Sequence, residues 1–211
     1  MIASVVRILN RIFEEVAYHG LILLDRLRGV DFHGMDMSVI GDGYRYECTH
    51  PRIMIQLSRI CREAKNTDAI LDLGCGKGRM LEFFSSYPFR LVDGVEYSQK
   101  LAAIAARNVS RLDLASRVFC ADVREFTDWE AYTWFYFYNP FPSYVMRSCL
   151  EGILKSLETH PREIILLYAN PTCHKILLSY GFREKPFRQT FLERIWAPYL
   201  SVLKIYVWPE P

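Results

Sequence analysis

The chain predicts an α/β fold, a mostly parallel sheet flanked by helices and preceded by a helical extension. Three observations carry that expectation. Apolar runs of strand length alternate with longer segments of helical periodicity. The first internal run, at residues 70–80, breaks into glycines at 74, 76 and 78 before apolar residues resume at Met80 and Leu81. Acidic or amide residues stand at the ends of four successive runs, Asp72, Glu96, Asp122 and Asn139. In open α/β sheets those ends are where ligands sit.

Residues 2–27 read as an amphipathic helix with Val5, Val6, Leu9, Ile12, Phe13 and Val16 on one side. Arg7, Arg11, Glu14 and Glu15 interrupt it, so it does not span a membrane. It has three readings, in this order: a helix packed on the main domain, a homodimer contact, or a membrane-surface anchor. Residues 31–43 are rich in Gly, Asp and Met and read as a connecting loop. The division expected is therefore residues 1–43 for helix and loop, and 44–211 for the main domain. Tyr44 and Tyr46 precede a helix over 53–64, where they suit either a lid or simple packing.

The run ending at Gly74 is the first strand, and a helix starts near Met80. A second strand at 90–97 ends in Glu96, and a helix at 98–112 has Ser98 as its N-cap. A third strand covers 118–123 and carries Asp122. The fourth, at 132–138, is almost wholly aromatic, as a strand buried on both faces allows. Pro140 and Pro142 end it, and a helix follows at 143–157. A fifth strand at 163–169 leads to His174 and a short helix that stops at Gly181. Residues 182–196, punctuated by Pro186, and the alternating run at 200–207 close the sheet as an antiparallel pair.

The glycine turn narrows the chemistry. Glycine admits positive φ and lets a ligand approach the backbone, while the helix start presents N–H groups. The dinucleotide fingerprint needs a third small residue. Counted from Gly74 that position is Arg79, and from Gly76 it is Leu81, so the fingerprint fails. Glu96 stands about 20 residues beyond the glycines, where one carboxylate accepts from both hydroxyls of a ribose.

Asp-Leu-Gly-Cys-Gly-Lys-Gly at 72–78 resembles the first motif of class I S-adenosylmethionine-dependent methyltransferases. The resemblance implies a Rossmann-like methyltransferase fold with a mostly parallel seven-stranded sheet, and S-adenosyl-L-methionine as cofactor. It implies that Gly74, Cys75, Gly76 and Gly78 pass under the methionine part and that Asp72 holds its amino group. Glu96 then anchors the ribose, Tyr97 covers sugar or adenine, Asp122 accepts from the adenine amino group, and the Val123 amide meets a ring nitrogen. Asn139-Pro140-Phe141 resembles the acceptor loop of amino-group methyltransferases, with Phe in place of a second Pro. Those three residues are the candidate acceptor-side, catalytic set. The glycine turn and this loop are also similar to those of uncharacterised bacterial methyltransferases.

The acceptor implied is a nitrogen on a protein or small molecule. A nucleic-acid amino group stands second, because the net charge of +2 gives no basic field. An NAD-dependent oxidoreductase and a non-catalytic cofactor-binding protein are the other readings. Asp122 alternatively caps a turn, and His174 is a candidate general base. The six cysteines are scattered without a metal-ligand spacing, which suits a reducing cytoplasm and no metal.

Overall fold

The computed structural model describes residues 2–33, 46–138, 141–187 and 203–208. The extension is one helix, α1 (Ile2–Arg28), and α2 (Pro51–Cys61) precedes the sheet. Then come β1 (Ala69–Leu73), α3 (Arg79–Ser85), β2 (Leu91–Glu96), α4 (Gln99–Arg111), β3 (Val118–Cys120) and β4 (Trp134–Tyr138). The chain closes with α5 (Ser143–Thr159), β5 (Ile164–Ala169), α6 (His174–Ser179), β6 (Arg183–Lys185) and β7 (Leu203–Trp208).

The strands form one seven-stranded sheet in the order β3-β2-β1-β4-β5-β7-β6. Neighbours from β3 to β5 run parallel, and β7 is antiparallel to both β5 and β6. The expected α/β class, strand number and antiparallel closing pair are all present. The chain builds outward from β1 through β2 to β3, then returns to the other side of β1 as β4. That reversal opens a crevice at the carboxyl ends of β1 and β4.

Burial on both faces explains the apolar strands. All five residues of β1 are buried. In β4, Phe135 and Phe137 enter the hydrophobic layer that contains Trp129, Met146 and Tyr168. Trp134 and Tyr136 enter the opposite layer with Ile70, Phe84 and Leu167. Ser98 caps α4 as expected, accepting from the Leu101 amide. Gly181 has φ of 92° and ends the turn after α6, a conformation that favours glycine.

The third and fourth strands stop or start short of their expected bounds for identifiable reasons. β3 stops at Cys120 because Asp122 accepts from the Arg124 amide at 2.9 Å and turns the chain into a 3-10 turn over 123–125. β4 begins only at Trp134, since a second 3-10 turn precedes Tyr132, whose hydroxyl donates to buried Asp93 at 2.7 Å. Of the closing segment expected at 182–196 and 200–207, residues 188–202 lie outside the described residues, as do Tyr44 and most of the 31–43 loop.

The C-terminal end of α1 is fastened to the main domain through polar side chains. Arg79, the first residue of α3, is 6% exposed and pairs with Asp25, which is 1% exposed. The Arg79 guanidinium also donates to Glu82 at 2.9 Å and lies 4.1 Å from the centre of the Phe32 ring. His33 meets Asp25 at 2.5 Å and Arg79 at 3.1 Å. Burial first, then the charge of Arg79, push the His33 pKa down despite Asp25. A neutral His33 leaves Arg79 and Arg28 balanced by Asp25 and Glu82, with Arg28 to Glu82 at 2.5 Å. Asn108 of α4 completes the join: it accepts from the Asp31 amide at 3.0 Å and donates to the carbonyls of Asp31 and Lys77. Removing one partner of a buried pair leaves the other charge stranded. Asp25→Ala is expected to lower stability to urea unfolding by about 3 kcal/mol, whereas exposed Arg26→Ala shifts it by no more than about 0.5 kcal/mol.

Candidate functional site

The site is built where β1 hands over to α3. Gly74, Gly76 and Gly78 take φ values of 85°, 56° and 85°, the left-handed region in which a side chain is strained. The loop is pinned to the neighbouring strand end, because the Gly74 and Cys75 amides donate to the Val95 carbonyl at 2.9 and 3.0 Å. The Gly76 amide donates to Glu96 Oε2 at 2.8 Å. A β-carbon on Gly76 would collide with the Tyr46 ring, which lies directly on the loop. Tyr46 is itself held by donating to the Phe32 carbonyl at 2.6 Å.

Two carboxylates converge on this loop. Asp72 in β1 is 3% exposed and Glu96 at the end of β2 is 9% exposed. Glu96 accepts from Gly76 through one oxygen and from the Ser98 amide, at 2.8 Å, through the other. Burial pushes its pKa up, partly opposed by these amides and that of Tyr97. Burial, and then the facing Glu96, push Asp72 well above the usual carboxylate range. Among the described residues no hydrogen bond reaches the Asp72 carboxylate, and neither acid pairs with a lysine or arginine. Buried charge without a counter-charge is costly, and the cost falls away when a cation enters. These residues therefore fit a cofactor carrying a positive amino group and sulfonium.

Other expected site residues fall in different settings. Cys75 packs its side chain against Gly94 and joins the core, so its contact with a ligand is limited to loop shape. Tyr97 is 53% exposed at the end of β2. Asp122 lies two residues beyond Cys120, which pairs in register with Glu96. It serves there as the cap of the 3-10 turn and is bound by the Arg124 guanidinium at 2.6 Å, which holds its carboxyl below the usual range. Val123 is 7% exposed, and its side chain belongs to the core.

On the acceptor side, Asn139 and Pro140 lie outside the described residues. Phe141 is 8% exposed and packs edge-on against Phe137, so its ring is committed to the core. His174 is turned to Tyr206 of β7, with 2.7 Å between Nδ1 and the hydroxyl. Tyr206 shares the layer of Leu71 and Leu73, on the other face of the sheet from Asp72.

Lys77 and Arg79 are neighbours of the loop, and of the two only Arg79 is marked in the sequence, as a departure from the dinucleotide fingerprint. Arg79 binds Asp25 near the end of α1, and Lys77 binds the segment that follows it, reaching Asp31 at 2.8 Å and the His33 carbonyl at 2.5 Å. The signal is two cations on either side of Gly78, in a turn otherwise made of glycines and Cys75. Thr49 and Tyr136 were also missed; their hydroxyls meet at 3.2 Å, and Tyr136 stands beside Asp72 in register.

Residues 70–159 match the family model described as a methyltransferase domain. No curated protein matches the sequence. Solved structures share the fold at low identity. An RNA methyltransferase from Salinibacter ruber in complex with S-adenosyl-L-homocysteine is 18% identical, with a TM-score of 0.50 over 79% of this chain and 95% of that one. The N-methyltransferase NodS from Bradyrhizobium japonicum is 15% identical, with a TM-score of 0.55 over 77% and 99% of the two chains. A tRNA methyltransferase from Aquifex aeolicus is 11% identical, with a TM-score of 0.55 over 79% and 72%. The domain match spans the glycine loop and both strand-end carboxylates, so residues 70–159 carry a methyltransferase domain, and the fold is the one these solved methyltransferases share.

Proposed function

We propose that the chain transfers the methyl group of S-adenosylmethionine to a nitrogen on a protein or small molecule, from a cofactor gripped at the ends of β1, β2 and β3. One observation carries the cofactor half of this reading: Asp72 and Glu96 are buried side by side against a left-handed glycine loop, with no cation among the described residues to neutralise them. When bound, the cofactor supplies a methyl group made electrophilic by its sulfonium.

The chain's own residues do the holding. Asp72 takes the amino group, and Gly74, Cys75, Gly76 and Gly78 shape the bed beneath the methionine part. Glu96 keeps lone pairs free on both oxygens after accepting from Gly76 and Ser98, which suits it to the ribose diol. Tyr97 covers the nucleoside from the solvent side, and Asp122 with the Val123 amide receives the adenine. Arg124 must share Asp122 with that base, since the two are already paired. Tyr46 closes over Gly76 and limits water at the loop.

For the acceptor, the support is the Asn139-Pro140-Phe141 sequence directly after β4. Amide and backbone carbonyl oxygens there accept from an amine and orient its lone pair. Phe141 contributes by fixing the loop to the core, not by stacking on substrate. The near-balanced charge supports a protein or small molecule over nucleic acid. Residues 44–211 form the catalytic domain in this reading, with residues 1–43 as its extension.

Three outcomes check it. Glu96→Ala is expected to weaken cofactor binding by about tenfold to a few hundredfold in calorimetry; unchanged affinity removes Glu96 from the site. The pH dependence has a definite sign. Because the folded pKa values of Asp72 and Glu96 are raised, the free protein gains stability from their protonation at low pH and loses it as pH rises through those raised values. The cofactor needs the ionised forms, so the thermal shift it produces is expected to grow over that same interval. A shift that shrinks with rising pH contradicts the two carboxylates as cation ligands. Finally, incubation of cell extract with methyl-labelled cofactor is expected to place label in protein or small molecules; label confined to nucleic acid selects the second acceptor class.

A further inference from the structure

Asp122 is fully engaged before any nucleoside arrives. A carboxylate offers about four acceptor positions on its two oxygens. Here Oδ1 accepts from the Arg124 amide at 2.9 Å and from Arg124 Nε at 3.0 Å. Oδ2 accepts from Nε at 3.0 Å and from Nη2 at 2.6 Å. The amide bond caps the 123–125 turn and belongs to the fold. The guanidinium bonds are more easily given up, because the Arg124 side chain is 41% exposed and a pair so open to water contributes little to stability. An adenine amino group that donates to Asp122 must therefore take the place of the guanidinium.

The displaced group has a neighbour to receive it. Arg124 Cζ lies 6.0 Å from the centre of the Tyr144 ring. Tyr144 is the second residue of α5, is 45% exposed, and stands three residues beyond Phe141 in the sequence. The start of α5 and the 123–125 turn are fixed to each other, since Val123 and Val145 belong to one hydrophobic layer with Phe137 and Phe141. Arg124 thus bridges the nucleoside side of the rim to the acceptor side. A guanidinium over an aromatic ring is held by the ring's quadrupole and keeps its N–H fork for a planar oxyanion.

We propose that adenine binding moves the Arg124 guanidinium from Asp122 onto Tyr144, where it recognises a carboxylate on the methyl acceptor. This rests on the reading of Asp122 as the adenine ligand. The partner that Arg124 gives up is a planar carboxylate of single charge, and a second one restores the same charge balance and the same forked geometry. A phosphate dianion over-compensates one guanidinium, and a net charge of +2 gives no general attraction for polyanions. Cofactor and acceptor are thereby coupled. The cofactor uncovers the cation that the acceptor needs, and by linkage the acceptor's carboxylate tightens the cofactor.

The test is calorimetry of S-adenosylhomocysteine binding to the full chain, in sodium chloride and in sodium acetate of equal ionic strength. In the unaltered chain acetate is expected to strengthen binding by about twofold. Arg124→Gln leaves Asp122 open to adenine, so it is expected to bind about twofold to fivefold more tightly in chloride and to lose the acetate effect. An unchanged or weaker affinity in Arg124→Gln overturns the proposal. So does an acetate effect that is missing from the unaltered chain or that survives the substitution. Sodium phosphate at the same ionic strength is the third arm, and a larger effect than that of acetate overturns the carboxylate as the recognised group. S-inosylhomocysteine, with an oxygen in place of the adenine amino group, tests the underlying reading separately. It is expected to bind the unaltered chain about tenfold or more weakly. Equal binding of the two nucleosides removes Asp122 from the adenine site, and this proposal with it. Discrimination between them with an unmoved Arg124→Gln affinity removes only the role of Arg124.

Discussion

The architecture turns on a pair of carboxyl groups placed where water is scarce. Asp72 and Glu96 occupy the ends of adjacent parallel strands, and each is held by geometry that the surrounding sequence cannot relax. β1 is buried along its whole length, so Asp72 has no route to solvent by a small strand shift. Glu96 is tied by amides on both oxygens, one from the glycine loop and one from the start of α4. The loop is thus shaped by the acid it surrounds, as much as by its glycines.

Much of the fold was legible because strand and helix signals agreed with one another. Burial on two faces wrote itself into continuous apolar runs, and Ser98 and Gly181 marked a helix start and a helix end by ordinary cap chemistry. The differences arise where a side chain's hydrogen bond, to backbone or to a distant side chain, sets where a strand ends. Asp122 bonds forward to Arg124, so the third strand ends early in a turn that periodicity does not reveal. Tyr132 looks like strand sequence, yet its hydroxyl belongs to Asp93, thirty-nine residues back, and that is a contact only the folded chain displays.

The site was legible in part for the same reason. Asp72, Glu96 and the three glycines are local signals, since each follows a strand end directly. The likeness of Asn139-Pro140-Phe141 to an acceptor loop implies an acceptor-side role for Phe141, and the fold adds that its ring fills the space beside Phe137. Lys77 and Arg79 were opaque because their partners, Asp31 and Asp25, lie on the far side of a long loop in sequence. Charge pairs across such distances leave no periodicity.

The hydrogen bond from Tyr46 to the Phe32 carbonyl has a consequence for evolution of the chain. It staples together the two ends of the segment that connects α1 to the rest of the domain. Once the ends of a segment are fixed near one another, doubling its length costs only about 0.6 kcal/mol of closure entropy. A longer or shorter stretch between Phe32 and Tyr46 would therefore cost the fold beneath it little.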